Sequence, residues 1–226
     1  MIFKTPPRVF FNRFVKSLFF KTPFWRYFLP IMKFDMTFAQ LNFMLETISE
    51  ITSDGIIFEV GVGGGSTSVV LNNSNMLTEN PRPFYALDTF YGFVEEDIKF
   101  ENEKRGKNDN YLYYRSNSKE WYTKTLFAHG VKNAYIFQCD AKLFDYDAIP
   151  GIAFCLLDID LYSPTKDVLP KIYNNLVPGG VIVVDDCSPL VTIYDGAGHA
   201  YREFCKEINH NEELVFEKLG VIRKPL

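Results

Sequence analysis

The sequence predicts an α/β fold: an open, mostly parallel sheet with helices on both faces, preceded by a helical N-terminal arm. Three observations carry this. Short runs rich in β-branched and aromatic residues alternate with helix-length segments from residue 37 onward. Several of those runs stop at an aspartate, as at Asp88, Asp140, Asp158 and Asp185. One run, Ile56–Val60, leads directly into Gly61-Val62-Gly63-Gly64-Gly65-Ser66, the pattern of a buried strand, a tight turn and a helix start. At 226 residues the chain is long enough for one domain with a sizeable core.

Composition sets the class. Hydrophobic residues make up 47% and charged residues 23%, the balance of a soluble globular protein. Cys139, Cys155, Cys187 and Cys205 form no C-x-x-C pair and no zinc-like cluster, so they read as reduced thiols of a cytoplasmic protein. The net charge of −4 conceals a division. Up to Phe34 there are seven basic residues and no acidic one, which leaves 17 basic against 28 acidic residues beyond, a net −11. The chain is therefore divided into a basic aromatic arm, 1–34, and an acidic body, 35–226. No nucleic-acid partner is expected.

Within the arm, Phe10, Phe11, Phe14, Val15, Leu18 and Phe19 share one helical face, opposite Asn12, Arg13 and Lys16. Charges interrupt the apolar run before transmembrane length, and no signal-peptide cleavage pattern follows it. The preferred reading is an arm whose aromatic face packs on the body or on a second subunit, making a homo-oligomer. The competing one is peripheral contact with an anionic membrane or a lipid-linked substrate. Pro6, Pro7, Pro23 and Pro30 are expected to divide the arm into short pieces.

The elements of the body follow in order. Thr37-Phe38-Ala39-Gln40 is a capping box, and Phe38, Leu41, Leu45, Ile48 and Ile51 recur at helical spacing behind it. Strand Ile56–Val60 comes next, then a helix from Ser66 to about Asn72. Phe84–Leu87 is a second strand, ending in Asp88. Residues 92–118 are polar and charged, with three tyrosines near the end, and read as a long loop or lid. Ser118–His129 is a helix stopped by Gly130. Asn133–Gln138 and Gly151–Leu157 are strands. Ser163-Pro164 has the look of N-cap and N1 of a helix that Pro170 should kink. Val177–Gly180 reads as a turn before strand Val181–Val184, and Tyr201–Ile208 as a helix before short strands at Leu214–Phe216 and Val221–Arg223.

The glycine turn decides the ligand class. A dinucleotide site wants G-x-G-x-x-G or G-x-G-x-x-A; Gly61 and Gly63 fit, but Ser66 stands at the third position. Glu59, two residues before Gly61, would repel a pyrophosphate, whereas the sulfonium and ammonium of S-adenosylmethionine suit a carboxylate. No Gly-Lys-Ser/Thr follows, which excludes a Walker loop. The expected cofactor residues are Glu59, Gly61, Gly63, Gly65, Ser66, Asp88 and Asp140. Asp88 would accept hydrogen bonds from the ribose hydroxyls; Asp140 would reach the adenine edge or merely cap a turn.

At the far ends of neighbouring strands lie Asp158, Asp160, Asp185 and Asp186. With no compensating base in view, four converging carboxylates call for a cation, and hard oxygen ligands suit Mg²⁺ or Ca²⁺.

Five segments, EVGVGGGST, LDTFYGF, LLDIDLYSPT, LVPGGVIVVDDC and GAGHAYREF, together resemble the macrocin O-methyltransferase family over the span from Met36 to the C-terminus. That resemblance implies a Rossmann-like class I methyltransferase fold, S-adenosylmethionine as donor, Mg²⁺, and a hydroxyl of a sugar or glycosylated small molecule or glycan as acceptor. By similarity to the catechol O-methyltransferase arrangement, Asp158, Asp185 and Asp186 look like metal ligands, with Asp160 behind them or as an alternative ligand. Asp158 is then the expected catalytic base and His199 a second candidate. The alternatives weighed are a phenolic or catecholic acceptor, an NAD-dependent oxidoreductase, and a non-catalytic membrane-associated binding protein.

Overall fold

The computed structural model describes residues 7–23, 35–190 and 193–226. The remaining arm residues, including Pro6, Pro30 and the segment leading to Phe34, lie outside the described residues. Among the described residues seven strands form one sheet: β1 (Ile56–Val60), β2 (Phe84–Asp88), β3 (Ala134–Gln138), β4 (Ile152–Leu157), β5 (Leu176–Val184), β6 (Glu213–Val215) and β7 (Leu219–Arg223). Their spatial order is β3-β2-β1-β4-β5-β7-β6. β1 to β5 are mutually parallel, while β7 runs antiparallel to β5 and to β6. Chain order reverses between β1 and β4, and a crevice opens there beyond the carboxyl ends of the strands.

The helices are α1 (Pro7–Phe20), α2 (Phe38–Glu50), α3 (Ser66–Asn75), α4 (Glu95–Lys104), α5 (Lys119–Ala128), α6 (Tyr162–Asn175) and α7 (Gly196–Glu207). Side chains alternate across β1. Ile57 packs with Met44 and Leu71 on one face; Ile56, Phe58 and Val60 pack with Val168, Leu169 and Tyr201 on the other. Both faces being covered explains why β1 and β4 are continuous apolar runs, fully buried along their length. The capping box forms as expected: the Gln40 N–H donates to Thr37 Oγ1, and the Thr37 N–H to Gln40 Oε1.

Five expectations are corrected. The 92–118 segment is not simply a loop, because α4 occupies its centre. This helix lacks an apolar stripe; it is fixed by Glu101, fully buried, which accepts the Tyr162 N–H at 2.7 Å and the Arg105 Nε–H at 2.7 Å. The same Glu101–Tyr162 bond starts α6 one residue ahead of Ser163, so Leu161 and not Ser163 is its cap. Residues 177–180 do not end a helix as a free turn but lie inside β5, where Ile152 pairs with Leu176 and Phe154 with Val181. α7 starts at Gly196, five residues before the expected position, because its glycines let it sit against the 160–162 backbone. A Cβ on Gly196 would fall 2.3 Å from the Tyr162 nitrogen.

The fifth correction concerns the arm. α1 meets the body through its cationic side. The Arg13 guanidinium lies 3.4 Å above the centre of the Tyr91 ring, the Lys16 ammonium 4.2 Å above that of Trp121, and buried Phe20 also touches Trp121. Phe10, Phe11, Phe14 and Leu18 point away and are exposed. Two electron-rich rings on the body select the cations of α1 rather than its apolar face.

Candidate active site

A cavity of about 480 Å³ fills the crevice, a size suited to a small-molecule ligand. Its floor is the β1–α3 turn. Gly61, Gly63 and Gly65 all have positive φ (85°, 48° and 89°). Gly61 admits no side chain at all, since a Cβ there would lie 1.8 Å from the Asp158 carbonyl oxygen. The turn is thus locked to the end of β4, where the Asp158 N–H donates to Val60 O at 2.8 Å. Ser66 and Thr67, the first residues of α3, line the cavity and carry the N-terminal end of the helix dipole.

Glu59 is buried beneath the turn. Ser68 Oγ donates to its Oε2 at 2.5 Å, and the Tyr122 hydroxyl donates to Ser68 Oγ at 2.9 Å. Burial, opposed by the Ser68 bond and aided by the nearby Asp88 charge, raises its pKa to about 8. Asp88 lines the cavity with both oxygens already engaged. Oδ2 accepts the N–H groups of Val62 and Gly63 at 2.9 and 3.3 Å, and Oδ1 that of Phe90 at 2.6 Å. Its observed work is to hold the glycine turn. Asp140 also lines the cavity and caps the short turn after β3, accepting the Lys142 N–H at 2.9 Å.

At the other end Asp158, Asp160 and Asp185 face the cavity. Asp160 and Asp186 both adopt left-handed backbone conformations, with φ of 59° and 54°, a geometry that re-aims a side chain at a strand end. Burial, and then the mutual proximity of these aspartates, pushes Asp158 and Asp160 well above the ordinary carboxylate range. A compensating base is present after all: Lys218 Nζ lies 2.8 Å from Asp185 Oδ2 and 3.3 Å from Asp186 Oδ1. Burial opposes its charge, but Asp185 and Asp186 keep Lys218 protonated beyond its usual range. The other Asp185 oxygen, Oδ1, is buried with no hydrogen-bond partner among the described residues.

These observations test the expected metal. As the side chains stand, no three Asp, Glu, His or Cys residues among those described are gathered tightly enough to hold an ion. The donor chemistry nevertheless fits a hard divalent cation. Four carboxylates face a single lysine, and a buried oxygen lacks a partner.

His199 is not among the residues lining the cavity. It sits half-exposed on the first turn of α7, its Nδ1 3.1 Å from Arg105 Nη1, with Asp195 at 3.9 Å. Burial and then the Arg105 charge lower its pKa.

The sequence reading missed several contributors. Asn117 is buried and donates through Nδ2 to Gly63 O at 2.5 Å, and Trp121 forms a wall together with Tyr113 and Tyr114, the lid tyrosines that the sequence had already singled out. Buried Asp97, from α4, is held by Lys142 Nζ at 2.6 Å. Lys16 reaches the cavity from α1, over forty residues before the glycine turn, and no sequence signal linked the two.

Comparison with known proteins agrees with this geometry. No curated protein sequence matches the chain. Among solved structures, the O-methyltransferase NovP superposes with a TM-score of 0.68 at 15% identity, covering 95% of this chain and 100% of NovP. CalS11, a calicheamicin methyltransferase, gives 0.64 at 19% identity over 97% of this chain and 94% of its own. A Streptococcus mutans protein in complex with S-adenosylhomocysteine gives 0.54 at 14% identity, covering 84% of this chain and 99% of that one. At such identities the likeness shows the fold, a Rossmann-like methyltransferase sheet. Family membership rests on the sequence. The family model described as macrocin-O-methyltransferase (TylF) matches residues 30–216, and the chain belongs to that family of S-adenosylmethionine-dependent O-methyltransferases.

Proposed function

We propose that the enzyme transfers the methyl group of S-adenosylmethionine to a hydroxyl of a sugar or glycosylated small molecule, with a divalent cation, Mg²⁺ by donor type, at the aspartate cluster. One observation carries the reading. A glycine turn whose first glycine rejects any side chain abuts the carboxylates of Asp158, Asp160 and Asp185 within a single cavity, so donor and acceptor can be held side by side. CalS11 is described as a TDP-rhamnose 3'-O-methyltransferase in one of its structures, which supports a sugar acceptor.

Each residue then has a task. Gly61, Gly63 and Gly65 let the cofactor approach the backbone, and Ser66 presents the start of α3 to its carboxylate. Glu59, which burial keeps largely protonated at neutral pH, would offer negative charge to the cationic end of the cofactor once that charge displaces its proton. Asp88 has room at Oδ1, which takes the Phe90 N–H, for one ribose hydroxyl, and Asp140 borders the adenine side. Asp158, Asp185 and Asp186 would hold the cation, which when bound lowers the pKa of a coordinated hydroxyl and fixes its direction. Asp158, facing the cavity, accepts the proton as the hydroxyl oxygen bonds to the methyl carbon and the sulfur–methyl bond breaks, its electron pair leaving with S-adenosylhomocysteine. Most of the acceleration comes from alignment of two bound molecules, and Tyr113, Tyr114 and Trp121 supply flat apolar walls for the acceptor.

The test is a screen with labelled S-adenosylmethionine over nucleotide sugars, surface glycans and glycosylated natural products, with and without EDTA. Labelling of a sugar hydroxyl that EDTA abolishes and Mg²⁺ restores supports the proposal. Labelling of phenols alone, or labelling indifferent to EDTA, refutes the acceptor or the metal assignment respectively.

A further inference from the structure

The α1 helix turns cations inward and rings outward. Phe10, Phe11, Phe14 and Leu18 are 69%, 66%, 60% and 51% exposed, four large apolar side chains on successive turns of one short helix. A contiguous apolar patch of this kind on an otherwise acidic, soluble body marks an interaction surface. Its electrical surroundings are one-sided. Residues 7–23 contain Arg8, Arg13, Lys16 and Lys21 and no acidic residue, and Arg8 and Lys21 are exposed at the two ends of the helix.

We propose that this face of α1 docks on an anionic membrane surface. The rings would enter the boundary between headgroups and acyl chains, with Arg8 and Lys21 against lipid phosphates. Charge selects this occupant. A body of net −11 is repelled by anionic lipid, so attachment has to run through the one basic segment, and this also fixes the orientation of the molecule. Area argues against a second copy. The four side chains expose on the order of 500 Å², short of the roughly 800 Å² per partner that a stable interface buries. Packing α1 against its symmetry mate would also press two uncompensated cationic helices together. A helix lying in the membrane plane has neither difficulty, and a single one gives reversible attachment. No helix among the described residues is long and apolar enough to cross a membrane. Because Lys16 on the inner side of α1 lines the cavity, docking keeps the cavity about one helix diameter, roughly 10 Å, from the lipid.

Vesicle flotation of the full chain tests this without any acceptor, and so independently of the methyl-transfer proposal. The protein is expected to float with phosphatidylcholine vesicles containing phosphatidylglycerol, and about tenfold less with phosphatidylcholine alone or in high salt. Phe10→Ser/Phe11→Ser/Phe14→Ser and, separately, Arg8→Glu/Lys21→Glu should each reduce flotation about tenfold. Affinity for S-adenosylhomocysteine and the urea midpoint should not change, which separates lost docking from lost folding. Absence of wild-type flotation, or undiminished flotation of the charge variant, would overturn the proposal. A dimer in light scattering that the phenylalanine variant converts to monomer would assign the face to a second copy instead.

Discussion

Lys218 Nζ lies 2.8 Å from one carboxylate oxygen of Asp185, whose other oxygen is buried and has no partner among the described residues. One positive charge thus answers part of a four-carboxylate cluster, and in the proposed function a cation would answer the remainder. Replacing Lys218 with Met should destabilise the metal-free protein by roughly 2–3 kcal/mol, because an uncompensated carboxylate is left in a mostly buried site. Added Mg²⁺ should recover more stability in the variant than in the wild type. Urea titrations with and without Mg²⁺ measure both effects; identical metal responses would show that the lysine and the ion do not share the cluster.

Gly61→Ala should abolish S-adenosylhomocysteine binding and cost at least about 3 kcal/mol of stability. The native φ of 85° disfavours alanine, and its Cβ would strike the Asp158 carbonyl. Calorimetry alongside denaturation checks this. Normal binding in the variant would mean that the turn can move away from β4.

Glu59 gives a pH signature. Its pKa is raised from 4.5 to about 8 on folding, so the folded protein holds this proton more tightly than the unfolded chain. Its contribution to stability is therefore complete below pH 4.5 and is lost as pH rises toward 8, then stays constant. Glu59→Gln should flatten that slope. The cofactor's positive charge favours the ionised form, so affinity for S-adenosylmethionine relative to S-adenosylhomocysteine should rise between pH 6 and 9 in the wild type only, by roughly tenfold. Binding titrations across that range decide it, and a flat ratio would remove Glu59 from contact with the sulfonium.

Glu101→Ala should detach α4 from the start of α6 and cost roughly 2–4 kcal/mol, since Glu101 is fully buried and serves both the Tyr162 N–H and Arg105. Hydrogen exchange would then be faster across residues 95–104. Unchanged protection there would show that α4 is held by other contacts.

Much of this was legible in the sequence where the governing physics is local. The Thr37–Gln40 box, the glycine turn and the strand-end aspartates each announce themselves within a few residues. α4 was not legible because its buried face carries Asp97 and Glu101, satisfied by Lys142 and by Tyr162 across the chain, and periodicity analysis looks for apolar stripes. The beginning of α7 was hidden for the opposite reason. Gly196 and Gly198 suggest a loop, yet they are there to let a helix approach the backbone of Tyr162 and Cys187. The pairing of Lys218 with Asp185 spans 33 residues and depends on the antiparallel return of β7, which no local pattern encodes. For the same reason the side of α1 that meets the body could not be chosen from its own sequence. Tyr91 and Trp121 make that choice, and they lie far along the chain.

The most direct test of methyl transfer to a sugar is to locate the label after incubation of the enzyme with Mg²⁺, labelled S-adenosylmethionine and a glycosylated acceptor. Fragmentation of the product by mass spectrometry should find the methyl group as an ether on the sugar, and Asp158→Asn should reduce its formation by about a hundredfold or more. A methyl group on an aromatic ring hydroxyl, or undiminished labelling by the Asp158→Asn enzyme, would contradict the assignment of acceptor or base.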